Sequence, residues 1–341
     1  MKKRSITALI IAAVLLILGA VLLGTAWFLG ARPTQLSEID VSGIFPWINA
    51  PVISADNGRY RDWANDYAAD GQYAAPVNGV NGISLSWLAG DVRVQAYEGA
   101  DIAFTETSDE DFGADEALRW GIEGGTLYIQ YCPPQTTGDL PSKNLTLLLP
   151  SALAGELDSF AFSGVSAGLT ASGLNARSLS ASSTSGELDF TESSARRVDL
   201  SSVSGSQRFS GGFSELDASS TSGDLFFETA ERGSVEVSSI SGQVTVRGSV
   251  SRINANTTSG DVEIGTDLCP DHLEIDSLSG MVRLALPGDC GFTLEFDTVS
   301  GALTSDFPVV LRDEEYVCGD GAARIDVDTT SGDVELLVQA G

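Results

Sequence analysis

Apolar and polar residues alternate along most of this chain, and a Ser-Gly step interrupts the alternation at intervals mostly of 18 to 21 residues. The glycines are Gly186, Gly205, Gly223, Gly242, Gly260, Gly280, Gly301 and Gly332, each preceded by serine. Seven positions earlier stand Leu179, Val198, Leu216, Val235, Ile253, Leu273, Leu294 and Ile325, and five earlier another apolar residue, from Ala181 to Val327. Three earlier the residue is always Ser or Thr, from Ser183 to Thr329. The second and fourth residues after the glycine are again apolar (Leu188 and Phe190, Val262 and Ile264), with Gln207 and Ser305 as departures. Apolar residues two apart predict strands with one buried face. The Ser-Gly step predicts a corner between two short strands, with glycine supplying backbone freedom and serine a local hydrogen bond.

A unit this short cannot bury its own apolar face, so the copies must stack. The frame recurs around Gly90, with Ile83, Leu85 and Trp87 before it and Val92 and Val94 after it, and Ser163-Gly164 reads as a weaker copy. The array therefore spans 81–341, with an inserted loop around 312–321. Two topologies fit: a parallel solenoid in which each strand lies on its copy one turn along, or antiparallel hairpins turning at the glycine. The near-constant period favours the solenoid, because stacking needs equal turns. Ten to twelve turns at ~4.8 Å would make a rod roughly 50–60 Å long.

A second periodicity lies inside the first. Thr184, Thr221, Thr258 and Thr330, two before the glycine, go with Glu187, Asp224, Asp261 and Asp333, one after it. Val203, Ile240, Leu278 and Val299 go instead with Ser206, Gln243, Met281 and Ala302. From Gly186 to Gly260 the two types alternate. Either alternation keeps carboxylates off adjacent turns, or two repeats make one circuit and the acids line one edge as a cation ladder. A threonine hydroxyl could also bond the carboxylate three residues on.

Residues 6–30 are apolar and uncharged, long enough to span a bilayer, and follow Lys2, Lys3 and Arg4. The expected organisation is a cytoplasmic tail (1–5), a single transmembrane helix (6–30), a stem rich in proline and aromatic residues (31–80) and the extracytoplasmic array (81–341). A cleaved signal peptide is the alternative. Net charge is −28, from 47 acidic and 19 basic residues. That surface argues against nucleic acid as a partner and against docking on anionic lipid. It is compatible with divalent cations, unspecifically, and with basic protein surfaces.

Of four cysteines, Cys269 and Cys290 fall at similar distances past consecutive glycines, within disulfide reach on stacked turns. Nothing in the spacing pairs Cys132 with Cys318. Candidate chemistry is sparse. Gly164-Val165-Ser166-Ala167-Gly168 matches the nucleophile-elbow pattern, but no strand-turn-helix unit surrounds it. His272, the one histidine, stands near Cys269 and Asp271 without a second His or a C-x-x-C. No catalytic, cofactor or metal residues are assigned.

The segments STSGELDF, STSGDLFF, TTSGDVEI and TTSGDVELLV, with LTLLLP before the array, resemble a bacterial family of Ser-Gly-Asp β-strand-repeat domains labelled putative adhesins. The resemblance covers 81–341. It implies an all-β, right-handed parallel β-solenoid or β-helix-like array, often tethered by one transmembrane helix, with no established enzyme activity; no cofactor is expected. The expectation is a membrane-anchored adhesin or surface scaffold whose protein or cell-surface ligand the sequence does not name. Two alternatives stand: an envelope sensor or assembly partner of another membrane protein, and a carbohydrate-active enzyme on a solenoid with paired carboxylates.

Overall fold

The computed structural model describes residues 62–63, 67–134, 136 and 140–339, all within the unit Ala55–Gly341. The expected tail, membrane segment and most of the stem lie outside the described residues. Among the described residues no helix is long and apolar enough to cross a membrane.

The described chain is almost entirely strand. Its first part holds β1 (Gln72–Ala75), β2 (Gly82–Tyr97), β3 (Ile102–Thr107), β4 (Arg119–Glu123), β5 (Thr126–Gln130), β6 (Asn144–Pro150), the short α1 (Ser151–Ala154) and β7 (Leu157–Ser172). The middle holds β8 (Asn175–Ser183), β9 (Leu188–Ser202), β10 (Gln207–Ser220), β11 (Leu225–Ser241), β12 (Val244–Ser259) and β13 (Val262–Thr266). The last part holds β14 (His272–Ser279), β15 (Val282–Leu286), β16 (Phe292–Ser300), β17 (Leu303–Ser305), β18 (Val310–Arg312), β19 (Glu315–Cys318), β20 (Ala323–Ser331) and β21 (Val334–Val338).

Each repeat is one full coil, with an A limb before the Ser-Gly corner and a B limb after it. Leu179 pairs with Val198, Val198 with Leu216, Leu216 with Val235, Val235 with Ile253 and Ile253 with Leu273, all in parallel. The B limbs stack likewise: Leu188 with Gln207, Gln207 with Leu225, Leu225 with Val244 and Val244 with Val262. In-register parallel pairing puts every glycine-aligned column on one face. The inward columns are dry, with Leu179, Val198, Leu216, Phe190, Phe209 and Phe227 fully buried. Gln207, the polar departure, is also buried, and its side-chain amide donates to Ser202 Oγ (2.9 Å) and Ser219 O (2.7 Å). The antiparallel-hairpin option and the two-repeat circuit are both excluded by this register.

Ser163-Gly164 is not a corner copy. Gly164 pairs with Ser183 and Leu169 with Leu188, so the corner of that coil is Ala167, three residues on. A dipeptide match placed it out of phase with the apolar columns.

Coil order differs from chain order at both ends. β2 pairs with β7 on one side and with β5 and β6 on the other, so the first coil in the chain lies inside the second. At the other end β20 pairs with both β14 and β16, and β21 with both β15 and β17. The last coil of the chain is therefore inserted between the Gly280 and Gly301 coils. The insertion expected at 312–321 is the β18–β19 hairpin, whose β19 runs antiparallel against β16.

The outer coil at the first end is covered by antiparallel strands, β4 on β5 and β3 on β6, with β1 added to β3. β1 falls in the segment expected as stem, so the end of that segment docks on the array. Tyr73 stacks on Phe104 (5.4 Å) and Trp63 on Tyr128 (6.0 Å). A buried ion pair holds this end together. The ammonium of Lys143 donates to Glu106 Oε1 (2.5 Å), Glu116 O (2.6 Å) and Tyr131 O, filling all three of its donors. Both side chains of the pair are fully buried, and Lys143 lies over the Tyr131 ring. Glu106 also accepts the Leu118 N–H. Burial lowers the Lys143 pKa and raises that of Glu106, while their attraction opposes both shifts.

Candidate binding surface

The corners fix which side chains face outward. At all eight Ser-Gly corners the reason for glycine is close approach. A Cβ on Gly205 would strike Gly186 O, one on Gly223 would strike Gly205 O, and so on through Gly242, Gly260, Gly280, Gly332 and Gly301; on Gly186 it would strike Ala167 O. Positive φ is an added reason only at Gly242, Gly260 and Gly280. The hydroxyl column closes the corner from inside. Ser183 Oγ accepts the Gly186 N–H (2.9 Å) and Ser220 Oγ the Gly223 N–H (2.8 Å). Thr257 donates to Ser277 (3.1 Å) and Thr329 to Thr298 (3.0 Å), linking adjacent coils.

The corner carboxylates bond across coils, not back to threonine within the turn. Asp224 accepts the N–H of Gln243, Asp261 that of Met281 and Asp333 that of Ala302, each at 2.9 Å. One acidic corner thus caps the non-acidic corner stacked on it, which gives the alternation a physical cause. Coil order extends the rule. From Gly186 in space the residue after the glycine runs Glu187, Ser206, Asp224, Gln243, Asp261, Met281, Asp333, Ala302. Met281 and Ala302, neighbours in the repeat sequence, are separated in space by Asp333.

Two outward columns differ in charge, one on the B limbs and one on the A limbs. On the B limbs the column three after the corner mixes signs: Asp189, Arg208, Phe226, Thr245, Glu263, Arg283 and Glu335. Arg283 pairs there with Glu335 (2.8 Å), and Arg247, two residues further along its limb, with Glu263 (2.9 Å). On the A limbs the column six before the corner is of one sign. Asp199, Asp217 and Glu236 stand on adjacent strands, followed across Asn254 by Glu274, Asp326 and Glu295. Beside the last three lie Asp276, Asp328 and Asp297, again in register. Like charges directly opposite on neighbouring strands destabilise a sheet. Two arginines are each shared among several of these acids: Arg197 with Asp199, Glu215 and Asp217, and Arg324 with Asp326, Glu295 and Glu315. Burial, then Glu236 and Asp199, raise the pKa of Asp217; burial, then Glu274, raise that of Asp276.

Cys269 and Cys290 form a disulfide, with Cα atoms 5.1 Å apart. Cys132 and Cys318 are buried free thiols, the first just past β5 in the outer coil of one end and the second on the β19 hairpin of the other. Ser166 lies within β7, on continuous strand, without the strand-turn-helix elbow a nucleophile needs. His272 opens β14 and sits 3.8 Å from Glu274. No metal-ligand cluster occurs among the described residues. The acidic A-limb column was present in the sequence, and alignment on the glycine would have exposed it. The Lys143–Glu106 pair was not, since 37 residues separate partners outside the regular frame.

These features define a repeat-built, acidic, parallel β-solenoid whose outward surface is a set of in-register side-chain rows. The chain belongs to the Toastrack DUF4097 family, whose model matches residues 80–337. No curated protein matches it. Among solved structures, one titled a putative cell adhesion protein, from Clostridium sporogenes ATCC 15579, matches at 9% identity. The match covers 79% of this chain and 98% of that one, with a TM-score of 0.20. At that similarity it bears on neither fold nor function here.

Proposed function

We propose that this chain is a membrane-tethered, extracytoplasmic binding module whose acidic A face engages a basic protein surface. The observation that carries the proposal is the one-sign column on the A limbs beside the mixed-sign column on the B limbs. In-register carboxylates cost folding stability, so a row of them concentrated on one face is best understood as a surface kept for recognition. Electrostatic complementarity of this kind gives speed and specificity of encounter. The tether is residues 6–30, behind Lys2, Lys3 and Arg4, which would leave the array outside the cytoplasm. A right-handed winding suits the parallel connections between coils. The role is binding spread along a rod, as in an adhesin or surface scaffold, rather than catalysis.

Two measurements test it. Protease added to intact cells should cut the array; an uncut array contradicts display. Full-length protein should bind polylysine, and replacing Asp199, Asp217, Glu236 and Glu274 with their amides should weaken that binding about tenfold. Binding unchanged by those replacements contradicts the A face as the site.

A further inference from the structure

Lys143 and Glu106 meet beneath the cover of the first end, Nζ 2.5 Å from Oε1, and neither side chain has any exposure. Glu106 stands on β3, and Lys143 directly precedes β6, which runs antiparallel to β3. The ring centroids of Trp87, Phe112 and Tyr131 lie 5.6, 5.2 and 4.0 Å from the lysine nitrogen. Both partners are also fixed from their far sides. The Leu118 N–H stands 3.1 Å from each oxygen of the carboxyl group, and Glu116 O and Tyr131 O accept from Nζ. Keeping such a pair ionised away from water is costly even though the charges attract. Burial pushes the lysine pKa down and the glutamate pKa up, and both shifts favour the neutral amine and the neutral acid.

A neutral amine held against a carboxyl group is a nucleophile facing an acyl carbon. A lysine desolvated in an apolar pocket is an activated nucleophile, and groups locked within contact distance react as if at very high concentration. We propose that Lys143 and Glu106 condense, once the chain has folded around the ion pair, to an intramolecular amide. The proton moves first, from Nζ to Oε1 along the hydrogen bond that already joins them. The nitrogen lone pair then attacks Cδ, and the Leu118 N–H is placed to hold the oxyanion that forms on Oε2. The Cδ–Oε1 bond breaks, Oε1 takes a second proton from the nitrogen, and one water leaves. The remaining N–H is donated to Glu116 O or Tyr131 O. Two buried charges give way to one neutral hydrogen-bonding group, with no cofactor, oxidant or second protein consumed. The bond ties β3, with β1 laid along it, to the segment that leads into β6. This chemistry is independent of what the A face binds.

The test is the mass of tryptic peptides from the full-length chain, purified in detergent, then denatured and reduced. In this stretch trypsin cuts after Arg93, Arg119, Lys143 and Arg177. It does not cut after an acylated lysine, so the amide should leave residues 94–119 joined to residues 120–177, lighter than the two together by one water. Residues 94–119 hold no cysteine, so a disulfide cannot mimic the join. Fragmentation should place the bond between Glu106 and Lys143. Lys143→Arg keeps the charge, removes the amine nucleophile and should release 94–119 as a free peptide. Three results would overturn the proposal: cleavage after Lys143 as complete as after Arg93, a join at any other pair of residues, or a join that survives Lys143→Arg. The first two are read on the unaltered chain, so a variant that fails to fold leaves the test intact.

Discussion

A methyl group on Gly223 would press against the carbonyl of Gly205 in the next coil, so the coils can approach at the corner only because no side chain stands there. Gly223→Ala is expected to lower stability by about 2–3 kcal/mol, read from the denaturant midpoint; a loss below about 0.5 kcal/mol, the scale of an ordinary surface change, would show that the corner tolerates a side chain. The buried Lys143–Glu106 pair sets a second residue-level expectation. Glu106→Gln leaves the ammonium uncompensated inside the first end and should cost about 3–5 kcal/mol, whereas replacing both partners by apolar residues should cost much less. Asp276 gives a pH dependence. Its folded-state pKa lies above its ordinary value, so the fold holds this proton more tightly than the unfolded chain does. Its contribution is full below the unfolded pKa, ~3.9, and is lost as pH rises through the folded value. Asp276→Asn should therefore raise the melting temperature at neutral pH and give no gain near pH 3; a gain that persists at low pH would rule out charge as the cause.

At the scale of elements, the chain between β15 and β16 has to pass the place that β20 later fills. Pro287 to Gly291 make that passage, and Cys290 within it is tied back to Cys269 between β13 and β14. The disulfide closes a separation of 21 residues, for which chain entropy gives about 3 kcal/mol. Cys269→Ser with Cys290→Ser should lower stability by about that much and speed amide exchange at 287–291 first. Uniform destabilisation without local opening would deny the clamp a local role. The coil itself was legible in the sequence because the columns keep their environments: Leu179 and its equivalents are always inside, and Ser183 and its equivalents are buried under the corner in every coil but the outermost, where Thr298 is exposed. The misplacement at Gly164 shows the limit, since a dipeptide carries less phase information than Leu169 and the columns around it. The first end was illegible for a related reason. Glu106, on the antiparallel cover strand β3, meets Lys143 just before β6, and no repeat aligns the two.

At the scale of the molecule, both ends place an inner coil by a chain segment far from its neighbours in sequence. β2 is enclosed by β5, β6 and β7, and β20 by β14 and β16. This keeps the first and last coil strands of the array off its edges, where unpaired backbone invites association. The sequence held a clue to the far end: the acidic and non-acidic corners alternate strictly only if the Gly332 coil lies between those of Gly280 and Gly301. Cysteine pairs test that order most directly. Adjacent strands lie ~4.8 Å apart, within disulfide reach, and alternate strands do not. In the full-length protein, Glu274→Cys with Asp326→Cys should cross-link on mild oxidation, and Glu274→Cys with Glu295→Cys should not. Cross-linking of the second pair and not the first would mean that the coils stack in chain order, and the inserted last coil would be wrong.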